Sequence, residues 1–142
     1  MKYKIIANEH QIRVISDALE SYARLGIGQL ENVLMDLGFK TYDQFKDKML
    51  KFHDLEVKNA VAVIKNKIFD MSLNSSYSIG NNNVHKDFKV CYDLYMTLKH
   101  KLYESDAEKV KMTASSEDVK VSDNGNITIE VCTEENENNG KT

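Results

Sequence analysis

The absence of proline constrains this chain more than any other feature of its sequence. None of the 142 residues is proline, the residue that most often breaks a helix. Between residues 9 and 103, apolar side chains recur at intervals of three and four, which places them on one face of a helix. We therefore predict an all-α bundle of four to five helices with a minor β element.

The first predicted helix, residues 9–25, has the clearest start signal. Asn8 can act as its N-cap, and Gln11 three residues later completes a capping box. Apolar residues at helical spacing predict its buried stripe. The stripe comprises Ile12, Ile15, Ala18, Leu19, Tyr22 and Leu25.

The remaining helices are predicted from near residue 28 to 37 and at about 42–51, 54–71 and 85–103. Gly38 is a natural stop for the second helix, because glycine favours the end of a helix. The core-facing seam of the fourth helix is predicted at Val57, Val61, Ile64, Ile68 and Met71. That of the fifth is predicted at Phe88, Cys91, Tyr95, Leu98 and Leu102.

The C-terminal part of the chain changes character. Residues 119–121 and 127–131 alternate apolar and polar positions, and Asp123-Asn124-Gly125-Asn126 between them is a strong turn signal. A small hairpin is predicted there, and a short strand at residues 3–7. The predicted organisation is a helical ligand-binding body (1–103), a linker with the hairpin (104–133), and a disordered acidic tail (134–142).

Charge and hydropathy exclude several classes of protein. Residues 1–103 carry a net charge of +3 and residues 104–142 carry −6, which together give −3. A mildly basic body is compatible with a small anionic ligand, but duplex nucleic acid requires a concentrated basic face. No stretch is apolar for long enough to span a membrane, and no signal peptide is evident. We expect a cytoplasmic protein.

The sequence shows no assembled catalytic or metal site. The four histidines are scattered, with no two of them four residues apart on a helix, so no helical zinc pair is formed. A P-loop, a nucleophile elbow and a dinucleotide-binding fingerprint are all missing. We therefore expect no catalytic residue, no bound metal and no cofactor.

The segment from Tyr22 to Gln29 is the first candidate for ligand binding. Gly26 and Gly28 allow a sharp turn between helices, and the unpaired amides at the start of the next helix suit a phosphate. Arg24 could clamp that phosphate with two hydrogen bonds, and Gln29 could contact a polar edge of the ligand. The competing interpretation is an ordinary helix corner, with Arg24 paired to Glu20.

The second candidate combines the loop around Tyr77 and Ser78 with the helix that follows. Tyr92 and Lys99 are seven residues apart on one face of that helix, and an aromatic ring near a cation can stack a base and hold a phosphate. The other residues expected to contribute are Tyr95 and His100. The competing interpretation has Tyr95 in the core, Tyr92 half-buried and the lysines solvated.

The same segments carry a resemblance to other proteins. Residues 13–31, which include Tyr22-Ala23-Arg24-Leu25-Gly26-Ile27-Gly28-Gln29, resemble a family of small, largely uncharacterised bacteriophage proteins. The similarity resumes at residues 76–79 and 92–102 and covers roughly residues 4–103. Family members often have Gly at the position of Ser78 and Arg at that of Lys99, so the loop differs and the cation lacks a planar fork.

The resemblance implies a phage accessory protein that binds rather than catalyses. The leading hypothesis is a counter-defence protein of the host cytoplasm that sequesters a nucleotide-derived immune signal, such as a cyclic oligonucleotide or a cyclic ADP-ribose derivative. Homo-oligomerisation is expected, since symmetric copies often build pockets between them. The alternatives are a protein-interaction module that inhibits a host protein and an enzyme that cleaves such a nucleotide.

Overall fold

The computed structural model describes residues 4–41, 55–104 and 122–123. Four helices account for most of them: α1 (Glu9–Gly26), α2 (Leu30–Thr41), α3 (Leu55–Phe69) and α4 (Lys86–Tyr103). The predicted helical class is confirmed, and no strand occurs within these described ranges, so residues 4–7 do not show the predicted N-terminal strand. The predicted helix at 42–51 and both strands of the predicted hairpin lie outside the described residues.

The start of α1 follows the predicted capping box. The side chain of Asn8 accepts a hydrogen bond from the amide of Gln11 at 2.9 Å. The side chain of Gln11 in turn accepts one from the amide of Asn8, also at 2.9 Å. Two amide groups that a helix start leaves unpaired are thereby satisfied.

An antiparallel pair of helices, α1 and α4, forms the main packing contact. Gly26 at the end of α1 lies beneath the ring of Phe88 near the start of α4. At the opposite end, the guanidinium of Arg13 lies 5.8 Å from the centre of the Tyr103 ring. Midway, the hydroxyl of Ser16 donates to the carbonyl of Tyr95 at 3.4 Å.

The buried face of α1 differs from the predicted stripe. Its buried residues are Ser16, Ala23 and Gly26, whereas the side chains of Ile15, Tyr22 and Leu25 are exposed. Small residues let the two helices approach closely. The buried positions of α1 therefore each lie one residue after an exposed position of the predicted stripe. On α4 the prediction holds better, since Tyr95 and Leu98 are buried.

Helix α2 is longer than predicted, because Gly38 does not end it and the helix continues to Thr41. A glycine inside a helix costs only about 1 kcal/mol relative to alanine. Neighbouring helical residues can therefore carry a helix through it.

Helix α3 buries only part of its predicted seam. Val61 and Met71, the latter just beyond the helix, are buried, whereas Ile64 and Ile68 are 44% and 66% exposed. Among the described helices α3 packs against α2, and α4 packs against α1. Within the described part of the chain, α2 is therefore the only helix that packs against α3, and Ile64 and Ile68 of the predicted seam remain exposed.

Lys65 joins α2, α3 and the loop after α3. Its side chain is completely buried, and its ammonium lies 3.0 and 2.9 Å from the two carboxylate oxygens of Glu31 on α2. It also donates to the carbonyl of Ser75 at 2.7 Å and to that of Leu73. A buried ammonium needs such partners, because its desolvation is costly.

Asp93 links α4 to the C-terminal part of the chain. This residue is 4% exposed, and its carboxylate accepts hydrogen bonds from both the amide of Ser122, at 2.8 Å, and the Ser122 hydroxyl. Ser122 belongs to the predicted linker and hairpin region, and at this residue the chain contacts α4. No helix in the described part of the chain has the length and apolar character needed to cross a membrane.

Candidate functional site

The corner between α1 and α2 is closed by its own backbone. The amide of Gly28 donates to the carbonyl of Leu25 at 3.1 Å, and that of Gln29 donates to the carbonyl of Arg24 at 2.9 Å. These two bonds form a Schellman motif, in which Gly28 has the left-handed φ of 84°. Since both amides already donate to carbonyls of α1, they are not unpaired in this structure.

Gly26 is required by packing, and Gly28 is required mainly by its left-handed backbone conformation. A Cβ atom on Gly26 would lie 2.0 Å from Cγ of Phe88, and one on Gly28 would lie 3.0 Å from the sulfur of Met71. Gly26 and Gly28 are themselves buried. Both glycines therefore have a structural role in the corner, and their direct contact with a ligand stays a prediction.

Arg24 adopts the ion pair that the sequence left open, and it also contacts Gln29. Its Nε and Nη2 atoms donate to Oε1 of Glu20 at 3.1 and 2.8 Å, while its Nη1 atom donates to Oε1 of Gln29 at 2.7 Å. The planar guanidinium is thereby fixed on two sides.

Two distant parts of the chain extend this group of side chains. The Lys99 ammonium, on α4, lies 3.7 Å from Oε2 of Glu20. In the loop after α3, the Ser76 hydroxyl lies 3.5 Å from the side-chain nitrogen of Gln29. We refer to Glu20, Arg24, Gln29, Ser76 and Lys99 as the polar cluster.

An open cleft of about 400 Å³ between α1 and α2 adjoins the polar cluster. Carboxylates outnumber cations in its lining, so its wall is acidic as well as polar. The lining residues are Asp17, Glu20, Ser21, Arg24, Asn32, Val33, Met35 and Asp36. The side chain of Asn32 donates to Gln29 at 3.3 Å, which connects the cleft wall to the cluster.

Tyr95 and Tyr92 lie beside the cluster on α4. Their rings meet edge to face, with centres 5.2 Å apart. Burial, and next the carboxylate of Glu20, raise the pKa of Tyr95 to about 12. The Tyr95 hydroxyl is therefore protonated at neutral pH and can act as a hydrogen-bond donor.

The other predicted site residues lie elsewhere or serve the fold. The ring of Tyr22 packs against Phe88 with centres 5.0 Å apart. It leaves α1 on the side away from Arg24, since residues two apart on a helix do not share a face. Tyr77 anchors its loop, because its amide donates to the carbonyl of Ile27 at 2.9 Å. Ser78 is exposed, and the serine that lies near Gln29 is Ser76.

His100 neighbours the cluster residue Lys99 in sequence. Its Nδ1 atom is buried and has no hydrogen-bond partner among the described residues. No three histidine, cysteine or acidic side chains in the described ranges converge to hold a metal ion.

Glu20, Asn32 and Ser76 belong to the site but were not predicted as ligand-binding residues. Glu20 was recognised only as the helical partner of Arg24, four residues away. Ser76 had a signal, since it precedes Tyr77 in the segment that carries the resemblance. No local pattern pointed to Asn32.

The chain matches no protein-family model, no curated protein and no solved structure.

Proposed function

We propose that this protein is a non-enzymatic phage counter-defence protein that binds and sequesters a nucleotide-derived immune signal in the host cytoplasm. The ligand class is a cyclic oligonucleotide or a cyclic ADP-ribose derivative. The proposal includes homo-oligomerisation.

The observation that carries the proposal is the polar cluster itself. Arg24 and Lys99 belong to the two separate segments that the sequence predicts to bind a ligand. Both cations contact one carboxylate, that of Glu20. Two cations from different helices, with donor side chains at Gln29 and Ser76, can hold the oxygens of a phosphate. The half-buried ring of Tyr92, which meets the buried ring of Tyr95 edge to face, supplies aromatic surface beside them that can stack a base.

The acidic wall of the cleft restricts how such a ligand can lie. Phosphate oxygens placed deep between α1 and α2 would meet three carboxylates and only one cation, Arg24, in the lining of the cleft. The proposed pose therefore has the phosphates at the α4 side of the cluster, near Lys99, and an uncharged part of the ligand over Val33 and Met35.

The double variant Arg24→Ala, Lys99→Ala should bind the nucleotide at least about 100-fold more weakly, since a hydrogen bond to a charged group contributes about 1.5 to 3 kcal/mol. The measurement is native mass spectrometry of the full chain with a panel of cyclic oligonucleotides and cyclic ADP-ribose derivatives. The same spectra give the number of protein copies in the complex.

A matched control is the double variant Arg13→Ala, Lys101→Ala, which removes the same charge from α1 and α4. Arg13 and Lys101 pair with Glu9 and Glu104, outside the cluster. Equal losses in both double variants would contradict the site. Ligand released by heat with unchanged mass would support sequestration, and a cleaved ligand would support the enzyme alternative.

A further inference from the structure

Glu20 already occupies the position in which the proposed function places a phosphate. One of its carboxylate oxygens accepts both the Nε and Nη2 groups of Arg24, and the other faces the ammonium of Lys99 at 3.7 Å. The Glu20 side chain is only 21% exposed, so solvent screens this arrangement less than it would screen a fully exposed ion pair.

Carboxylates and phosphates are both common partners for an arginine, because both offer negatively charged oxygens to its N–H groups. An ion pair within α1 requires only one cation, so the additional contact of Glu20 with Lys99 on α4 needs a separate explanation. Helix α1 contains a second ion pair, between Glu9 and Arg13, with a contact of 2.6 Å. Among the described contacts, no lysine pairs with the Glu9 carboxylate as Lys99 does with that of Glu20. The two pairs therefore differ in the feature that resembles a phosphate site.

We propose that Glu20 is an internal competitor, which means that its carboxylate competes with the ligand for Arg24 and Lys99. Glu20 holds these two cations in the empty protein and is displaced when a phosphate binds. This inference rests on the proposed function and adds the residue that sets its affinity and selectivity. Because Glu20 is attached to the same chain, its local concentration is high, in the millimolar range or above.

The competition has one consequence for the affinity of the ligand and one for its selectivity. A ligand binds only to the fraction of molecules whose cations Glu20 has released, so its apparent affinity falls by that fraction. A singly charged anion replaces one carboxylate by a group of similar charge and gains little. A ligand with two linked phosphates brings more negative charge to the two cations and is favoured.

The test compares Glu20→Gln with the wild-type chain, using inorganic pyrophosphate as the probe and isothermal titration calorimetry as the measurement. We expect the variant to bind pyrophosphate about tenfold more tightly, because glutamine keeps the shape of the side chain and removes the competing charge. Acetate should bind neither protein measurably. The matched control is Glu9→Gln, which removes the other helical ion pair and should leave the affinity within about twofold of wild type.

An affinity of Glu20→Gln for pyrophosphate that is equal to or below the wild-type value would overturn the inference. Undetectable binding to both proteins would do so as well. Circular dichroism spectra and melting temperatures of both single variants establish that each is folded. If Glu20→Gln were to unfold, Glu20→Ala and Glu20→Ser would be titrated in the same way, with the same criterion.

The outcomes for the inference and for the proposed function are separable. Tighter pyrophosphate binding by Glu20→Gln, with no nucleotide bound from the panel, would support the internal competitor and contradict the nucleotide ligand. Nucleotide binding that requires Arg24 and Lys99 but is unchanged in Glu20→Gln would support the proposed function and overturn the competitor.

Discussion

Replacing Lys65 by alanine should lower the free energy of unfolding by about 3 kcal/mol, the range found when one partner of a buried ion pair is removed. The variant would leave the carboxylate of Glu31 without its ammonium and two carbonyls, of Leu73 and Ser75, without their shared donor. Partial exposure of Glu31, at 19%, keeps the expected loss at the lower end of that range. Urea denaturation followed by circular dichroism measures it.

Lys67→Ala is the matched control, since Lys67 lies on the same helix and is exposed. Its expected effect is within about 0.5 kcal/mol, as for most surface substitutions. Glu31→Gln should fall between the two, because the amide oxygen still accepts a hydrogen bond while the charge is lost. If Lys65→Ala and Lys67→Ala had the same midpoint, Lys65 would not be the structural tie that its contacts indicate.

Replacing Gly26 by alanine should destabilise the protein by about 2 kcal/mol through overpacking. Helix propensity alone predicts the opposite sign, since alanine in a helix is favoured over glycine by about 1 kcal/mol. The added Cβ would lie 2.0 Å from Cγ of Phe88, an atom too close to the backbone to swing aside. The ring is also in contact with Tyr22, which limits its movement. Thermal unfolding of the two proteins decides the sign.

A double-mutant cycle with Phe88→Ala separates overpacking from other causes. Phe88→Ala should cost less stability in the Gly26→Ala background than in the wild type, because it removes the clash together with the packing. Gly80→Ala serves as the control, since nothing lies within 4 Å of a Cβ placed there. Additive effects of the Gly26 and Phe88 substitutions would contradict the close approach of α1 and α4.

The local features of the fold could be predicted because their signals are short in sequence. Asn8 and Gln11 are three residues apart, and the capping box depends only on that spacing and on their side chains. The bounds of α1, α3 and α4 also agree with the predictions to within one or two residues. Each is determined by nearby residues.

The face by which α1 packs could not be read from hydrophobicity. The apolar stripe through Ile15 and Tyr22 has the stronger pattern, yet α4 approaches the side with Ser16, Ala23 and Gly26. Two helices can approach closely only where their side chains are small. A pattern based on large apolar residues does not identify such a contact face. The role of Gly26 is therefore found only once Phe88 is placed in space.

The candidate site could be predicted in its parts but not in its assembly. Arg24 and Lys99 were each singled out, but their common partner, Glu20, depends on the pairing of α1 with α4. The prediction that phosphate binds the corner amides did not anticipate that two of them donate to carbonyls of α1. The Schellman motif uses the amides of Gly28 and Gln29, and a free helix start has the same glycine pattern in sequence.

The contact between Asp93 and Ser122 determines where the chain can be shortened. A truncation after residue 103, at the predicted end of the helical body, would take two hydrogen-bond donors away from a carboxylate that is 4% exposed. A truncation after residue 123 retains both. For crystallisation or for a C-terminal affinity tag, the shorter protein should therefore end beyond Asp123.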